Sequence, residues 1–170
     1  AAPDTGNMEV LHQFGTPEQQ AEMILTSAQK AYTEKNYPFA IQRFTEYLQK
    51  FGGNPQANNA RYYLGLSYLE SPEKNYEKAQ EALGPVTGNQ AAPDYPFAVY
   101  FFAQAARGQG LNEVAQAIAK PNEAAQFKQR ADQKFNEAAS RFATAATAFT
   151  AKLPKEADGK VTPEAEWAAR

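Results

Sequence analysis

Small residues recur along this chain at a nearly constant spacing. One series, with separations of 37 and 38 residues, consists of Ala28, Gly65 and Ala103. A second series, with separations of 39 and 36 residues, consists of Ala40, Ala79 and Ala115. Such a period is typical of stacked helical hairpins, in which a small residue lies wherever two helices touch, because a larger side chain would push their axes apart. We therefore expect an all-α fold.

The segments between these positions have the apolar spacing of amphipathic helices. The first helix pair runs from Ala21 to about Gly53, with a turn at residues 35–38. It ends at Gly52 and Gly53, where we expect a left-handed cap, and Pro55 follows. The second pair begins near Asn58 and ends at the glycines of residues 84–89. Upstream, Thr16-Pro17-Glu18-Gln19 predicts a capped helix start.

The third pair is expected to begin near Tyr95. Residues 108–110, Gly-Gln-Gly, predict the turn between its two helices, and Ala115 would open the second one. Pro121 should then interrupt the helical path.

Residues 122–152 contain no Gly or Pro and predict one long helix. It carries phenylalanines at seven-residue intervals, Phe135, Phe142 and Phe149, with alanines between them. This seam needs a partner surface, because a lone helix of this kind is unstable in water. We expect it to pack along the last repeat as a capping helix; the alternative is pairing with a second chain.

Two segments match a known repeat pattern closely. Residues 64–68, Leu-Gly-Leu-Ser-Tyr, and the Ala40 to Phe44 spacing resemble the tetratricopeptide repeat. Residues 36–65 are similar to repeats of bacterial cell-envelope proteins, among them the outer-membrane-assembly lipoprotein and the Tol-associated cell-division coordinator. The resemblance implies a right-handed superhelical stack of about three hairpins.

The chain accordingly divides into four predicted parts. They are an N-terminal extension and helix start at 1–20, three repeat-like helix pairs at 21–119, the long Ala/Phe helix at 120–153, and a loop with the start of a further helix at 154–170. Because that last helix would have only about two turns, we expect the parent protein to continue beyond it. The small, polar N-terminus resembles a mature end left by signal cleavage, which favours export to the bacterial periplasm or envelope over the cytoplasm.

Composition and motifs argue against several classes of function. The net charge is −2 with interspersed signs, and no apolar run approaches the about 20 residues that span a bilayer, so we expect neither nucleic-acid binding nor a transmembrane segment. There is no cysteine, and the one histidine, His12, has no ligand-like neighbours. No catalytic or nucleotide motif occurs, although two carboxylates could still meet in space as in glycosidases. We expect a non-enzyme without metal or cofactor.

The resemblance implies a concave groove formed by the first helices of successive hairpins. The groove positions carry over to Gln29, Tyr32, Tyr62, Leu66, Tyr100, Gln104 and Arg107. The family's Lys/Asn clamp for a C-terminal carboxylate is not present at these positions, which disfavours chaperone tails as ligands. Alternatively, the tyrosines pack on neighbouring helices, or the chain itself fills the groove.

Two functions follow as hypotheses. The first is a scaffold or adaptor that binds a protein or peptide segment in this groove. The second is a structural subunit of a larger cell-envelope assembly, which uses the convex face and the Phe/Ala helix.

Overall fold

The computed structural model describes residues 15–152, and all regular structure in this range is helical. The six α-helices are α1 (Pro17–Thr33), α2 (Tyr37–Phe51), α3 (Ala57–Glu70), α4 (Tyr76–Leu83), α5 (Tyr95–Ala119) and α6 (Ala124–Ala151). Two short 3-10 helices cover Gly84–Gly88 and Pro121–Glu123. The prediction of an all-α fold is confirmed. None of the helices in this range has the length and apolar character needed to cross a membrane.

Local sequence signals set most helix starts. Thr16 begins α1 with the predicted capping box, in which its hydroxyl accepts from the Gln19 N–H and the Gln19 side chain accepts in return. Asn36 caps α2 through its side chain in a similar way. The expected left-handed cap at the end of α2 is wrong, because Gly52 has right-handed helical backbone angles, φ −61° and ψ −16°.

Each helix packs on the next one along the chain, and α1, α3 and α5 also contact one another in a row. Most of the small residues at repeat spacing lie in helix contacts, as predicted. Four of them have no exposed surface, namely Ala28, Ala40, Ala79 and Ala103. At Gly65 a Cβ atom would lie 2.5 Å from Cγ of Leu83, which shows why α3 and α4 can approach so closely.

The predicted turn at residues 108–110 is wrong. Helix α5 continues through both glycines to Ala119, and Ala115 is exposed on its surface instead of opening a new helix. The glycines allow close packing rather than a turn. The ring of Tyr76 lies against Gly108, and the ring of Phe135 lies against Gly110.

Helix α6 completes the pair that α5 begins. It runs antiparallel to α5, so that Lys152 Nζ at its end donates to the Pro93 carbonyl at 2.6 Å. A buried cluster of Tyr95, Val99, Ala145 and Phe149 holds the two helices together. Pro121 breaks the path between them, as expected.

Candidate interaction surface

The row of α1, α3 and α5 presents one surface, which we call the α1/α3/α5 face. Aromatic rings cross it in a continuous chain from helix to helix. Successive ring centroids lie 5.1 to 6.2 Å apart, and the chain consists of Tyr37, Tyr32, Tyr63, Tyr62, Phe101, Tyr100 and Phe142. Most of these pairs meet edge to face, the arrangement that ring quadrupoles favour. These ring contacts therefore connect five helices, α2, α1, α3, α5 and α6.

At the α1 end of this row of rings, two tyrosines donate hydrogen bonds to one carboxylate. The hydroxyls of Tyr32 and Tyr37 donate to the two oxygens of Glu70, at 3.0 and 3.1 Å. Burial raises the pKa of Tyr32 well above its ordinary value, and the hydrogen bond to Glu70 and its negative charge raise it further. Glu70 at the end of α3 is thereby fixed on the side of α1 and α2.

Tyr62 is the central ring of the face. It contacts Tyr63 at 5.3 Å and Phe101 at 6.2 Å between centroids. Burial strongly raises the pKa of its hydroxyl, and the charge of Asp94 adds to the effect. Its ring thus serves the contact between α3 and α5, while its side chain is still partly exposed.

The other predicted groove residues divide into two groups. Gln29 Nε2 donates to Asn59 Oδ1 at 3.1 Å, a bond that joins α1 to α3. Gln104 Nε2 donates to the Tyr100 hydroxyl at 2.9 Å, one turn earlier on the same helix. Leu66 is only 5% exposed and offers a partner almost no surface. Arg107, in contrast, is exposed.

An open pocket adjoins Arg107 between the end of α3, the start of α4 and the middle of α5. Its lining includes Leu69, Glu70, Lys74, Phe101, Gln104, Arg107 and Leu111. The structure thus brings the predicted residues Gln104 and Arg107 together, while Gln29 and Leu66 do not line this pocket.

Sequence reasoning missed several residues of this surface. Tyr63 and Phe101 were not among the predicted groove residues, yet Tyr63 contacts Tyr32 and Tyr62, and Phe101 contacts Tyr62 and Tyr100. The adjacent aromatic residues on α3 and on α5 could have indicated these contacts, because aromatic rings are large enough to span the gap between two helices. Nothing in the spacing pointed to Lys74, which lies in the loop between α3 and α4.

The phenylalanine seam of α6 faces α5. Phe142 contacts Tyr100 at 5.5 Å, and Phe149 contacts Phe97 at 4.9 Å, between ring centroids. Phe135 packs on Gly110, as described above. The seam therefore belongs to the α5/α6 contact within the chain.

Within residues 15–152, no group of three His, Cys, Asp or Glu side chains is placed to hold a metal ion. His12 lies outside the described residues. Comparison of the chain with protein-family models, with curated proteins and with solved structures found no match.

Proposed function

We propose that this chain is a non-enzymatic interaction scaffold that binds a protein or peptide segment on its α1/α3/α5 face. In this proposal the helices form a tetratricopeptide-type right-handed superhelix, and the face is its concave groove. We further propose that it acts in the bacterial envelope, on the basis of the sequence resemblance.

The observation that carries the proposal is the pocket between α3 and α5. Apolar side chains from both helices, Leu69, Phe101 and Leu111, stand there beside the charged groups of Arg107 and Lys74. Leu111 is 48% exposed, so part of its apolar surface is accessible to a partner. A surface that combines partly exposed aromatic and aliphatic groups with Arg is the kind that protein interfaces use.

Alanine substitution of exposed groove residues tests this proposal. Tyr62 and Tyr100 are poor choices, because their rings pack between helices and their loss would weaken the fold. Arg107 and Leu111 are both exposed residues of α5, so Arg107→Ala with Leu111→Ala disturbs the fold less. The tagged double variant should retain less than about a tenth of the partner protein that the wild-type chain captures from an extract of the source organism, a loss of at least about 1.4 kcal/mol in binding.

The matched control lies in a different groove. Lys78 and Glu81 on α4 line a separate groove together with α2 and α3 residues. Lys78→Ala with Glu81→Ala should leave capture unchanged, and both double variants should melt like the wild type. Equal capture by both double variants would overturn the proposal.

A second candidate function is a structural subunit of a larger assembly. The observation that favours it is the outer side of α6, where exposed alanines recur at Ala139, Ala143 and Ala146. If this side joins copies or subunits, Ala143→Asp should lower the molar mass measured by light scattering. A wild-type chain that is monomeric on its own and in its native extract would exclude this function.

A further inference from the structure

One side of α5 continues the pocket surface beyond the end of α3. Gln104, Arg107 and Leu111 line the pocket, and Ala115 and Ile118 follow at the three- and four-residue steps that keep side chains on one side of a helix. Ile118 is 76% exposed and Leu111 is 48% exposed. This strip is about 21 Å long, given a rise of 1.5 Å for each helical residue. We call it the α5 strip.

Three of the described charged residues line the pocket beside the α5 strip, and two of them, Lys74 and Arg107, are positive, while the third is Glu70. Within the described range, the side chains of Arg107 and Lys74 make no ion pair and no hydrogen bond. Elsewhere in that range Arg43, Arg130 and Lys134 each pair with a nearby glutamate.

The one acid in the described lining of this pocket makes no ion pair with these cations. Glu70 is the acid among the described residues of the pocket lining, and its two oxygens accept from the Tyr32 and Tyr37 hydroxyls. The carboxylate is therefore directed toward α1 and α2. Arg107 and Lys74 therefore remain available to a negative group on a partner. The apolar surface beside them lowers the local dielectric, which strengthens the attraction between these opposite charges.

From this arrangement we infer that the α5 strip binds an acidic amphipathic helix from a partner protein, an inference that rests on the proposed function. The apolar stripe of that helix packs on Leu111, Ala115 and Ile118, and its flanking carboxylates meet Arg107 and Lys74. A helix fits because its side chains repeat with the same period as the strip. A basic helix would place like charges against Arg107 and Lys74 and is disfavoured.

The test uses a synthetic fluorescent peptide and the full chain. The probe has about 16 residues, with leucines at helical spacing and glutamates on both flanks. Two matched peptides replace every glutamate by lysine or every leucine by serine. Fluorescence anisotropy should show that the acidic peptide binds at least about tenfold more tightly than either matched peptide, and that the preference shrinks at about 0.5 M salt.

Charge reversal of the chain provides the second arm. Arg107→Glu with Lys74→Glu should invert the preference, so that the lysine peptide binds better than the acidic one. Lys78→Glu on α4 is the matched control and should change nothing. Absence of binding by the acidic peptide, or equal binding of the acidic and basic peptides, would overturn the inference.

A dye on a single cysteine distinguishes a partner helix on the α5 strip from a segment of the same chain or a second copy. The chain has no cysteine, so Leu111→Cys can carry an environment-sensitive dye at one position. The dye should report water in the free chain and an apolar site after addition of the acidic peptide. Shielding in the free chain at every concentration would indicate a segment of the chain itself, and shielding that grows with protein concentration would indicate a second copy. Either result would overturn the inference.

The two proposals fail in distinguishable ways. If partner capture depends on Arg107 and Leu111 while the acidic peptide does not bind, the groove function stands and the acidic-helix inference fails. If capture ignores both residues, the proposed function fails regardless of the peptide result.

Discussion

The ring of Phe135 in α6 lies directly on the backbone of Gly110 in α5. A Cβ atom at residue 110 would come within 2.7 Å of ring carbon Cε1, closer than non-bonded carbon atoms can approach. Tyr76 at the start of α4 packs on Gly108 in a similar manner. Through these two contacts, the middle of α5 packs against both α4 and α6.

The first prediction concerns this contact. Gly110→Val should lower the free energy of unfolding by about 2 kcal/mol, because overpacking of a tight helix contact costs about 1–3 kcal/mol. Gly53→Val is the control, since a Cβ atom there would meet nothing within 4 Å, and it should change stability by less than about 0.5 kcal/mol. Urea denaturation followed by circular dichroism measures both. Equal stability of the two variants would contradict the described packing.

The second prediction concerns the core between α5 and α6. Phe149 is 1% exposed and contacts the Phe97 ring, so Phe149→Ala should cost about 3–5 kcal/mol of stability. Thr147→Ala, an exposed change two positions away on α6, should cost less than about 0.5 kcal/mol. The same denaturation experiment applies. A small effect of Phe149→Ala would mean that α6 does not pack on α5 as described.

The third prediction concerns alkaline pH. The folded pKa of Tyr62 is raised above the ordinary value of 10.0, chiefly by burial. Below pH 10 the tyrosine is protonated in both the folded and the unfolded chain, and its contribution is fully present. Above pH 10 the unfolded chain loses this proton while the folded chain keeps it, so stability should fall as pH rises, by at most about 1.4 kcal/mol for each pH unit.

Tyr62→Phe isolates this effect. Between about pH 9 and about pH 11, the stability of the variant should fall less than that of the wild type, as measured by denaturation at each pH. Identical pH dependence in variant and wild type would contradict a buried Tyr62 hydroxyl. Glu70→Gln offers a separate check, because loss of the carboxylate charge should lower the pKa of Tyr32 in an ultraviolet titration.

Much of the fold could be predicted from local signals. The capping residues Thr16 and Asn36 mark helix starts, and Pro121 marks an interruption, because each acts on backbone groups within a few residues of itself. The long α6 could be predicted because Gly and Pro are absent from its sequence. Small residues at repeat spacing predicted several helix contacts, among them those of Ala28 and Ala79, although Ala115 in the same series is exposed.

Gly108 and Gly110 show why the rest could not be predicted. Glycine serves both turns and close helix contacts, and the choice here depends on Tyr76 and Phe135, which are distant in sequence. The candidate site has the same difficulty. The sequence identified Arg107 and Tyr62, but Glu70 is bound by Tyr32 and Tyr37 from more than thirty residues away.

Site-specific photo-crosslinking tests the central claim of a binding surface on the α1/α3/α5 face most directly. A photoreactive amino acid would replace Arg107 on α5 in one full-length variant and Glu81 on α4 in another, both of which are exposed in the wild type. In the native extract, the residue 107 variant should form a discrete adduct with a partner protein, and the residue 81 variant should not. The same adduct from both positions, or an adduct from residue 81 alone, would contradict the proposed surface.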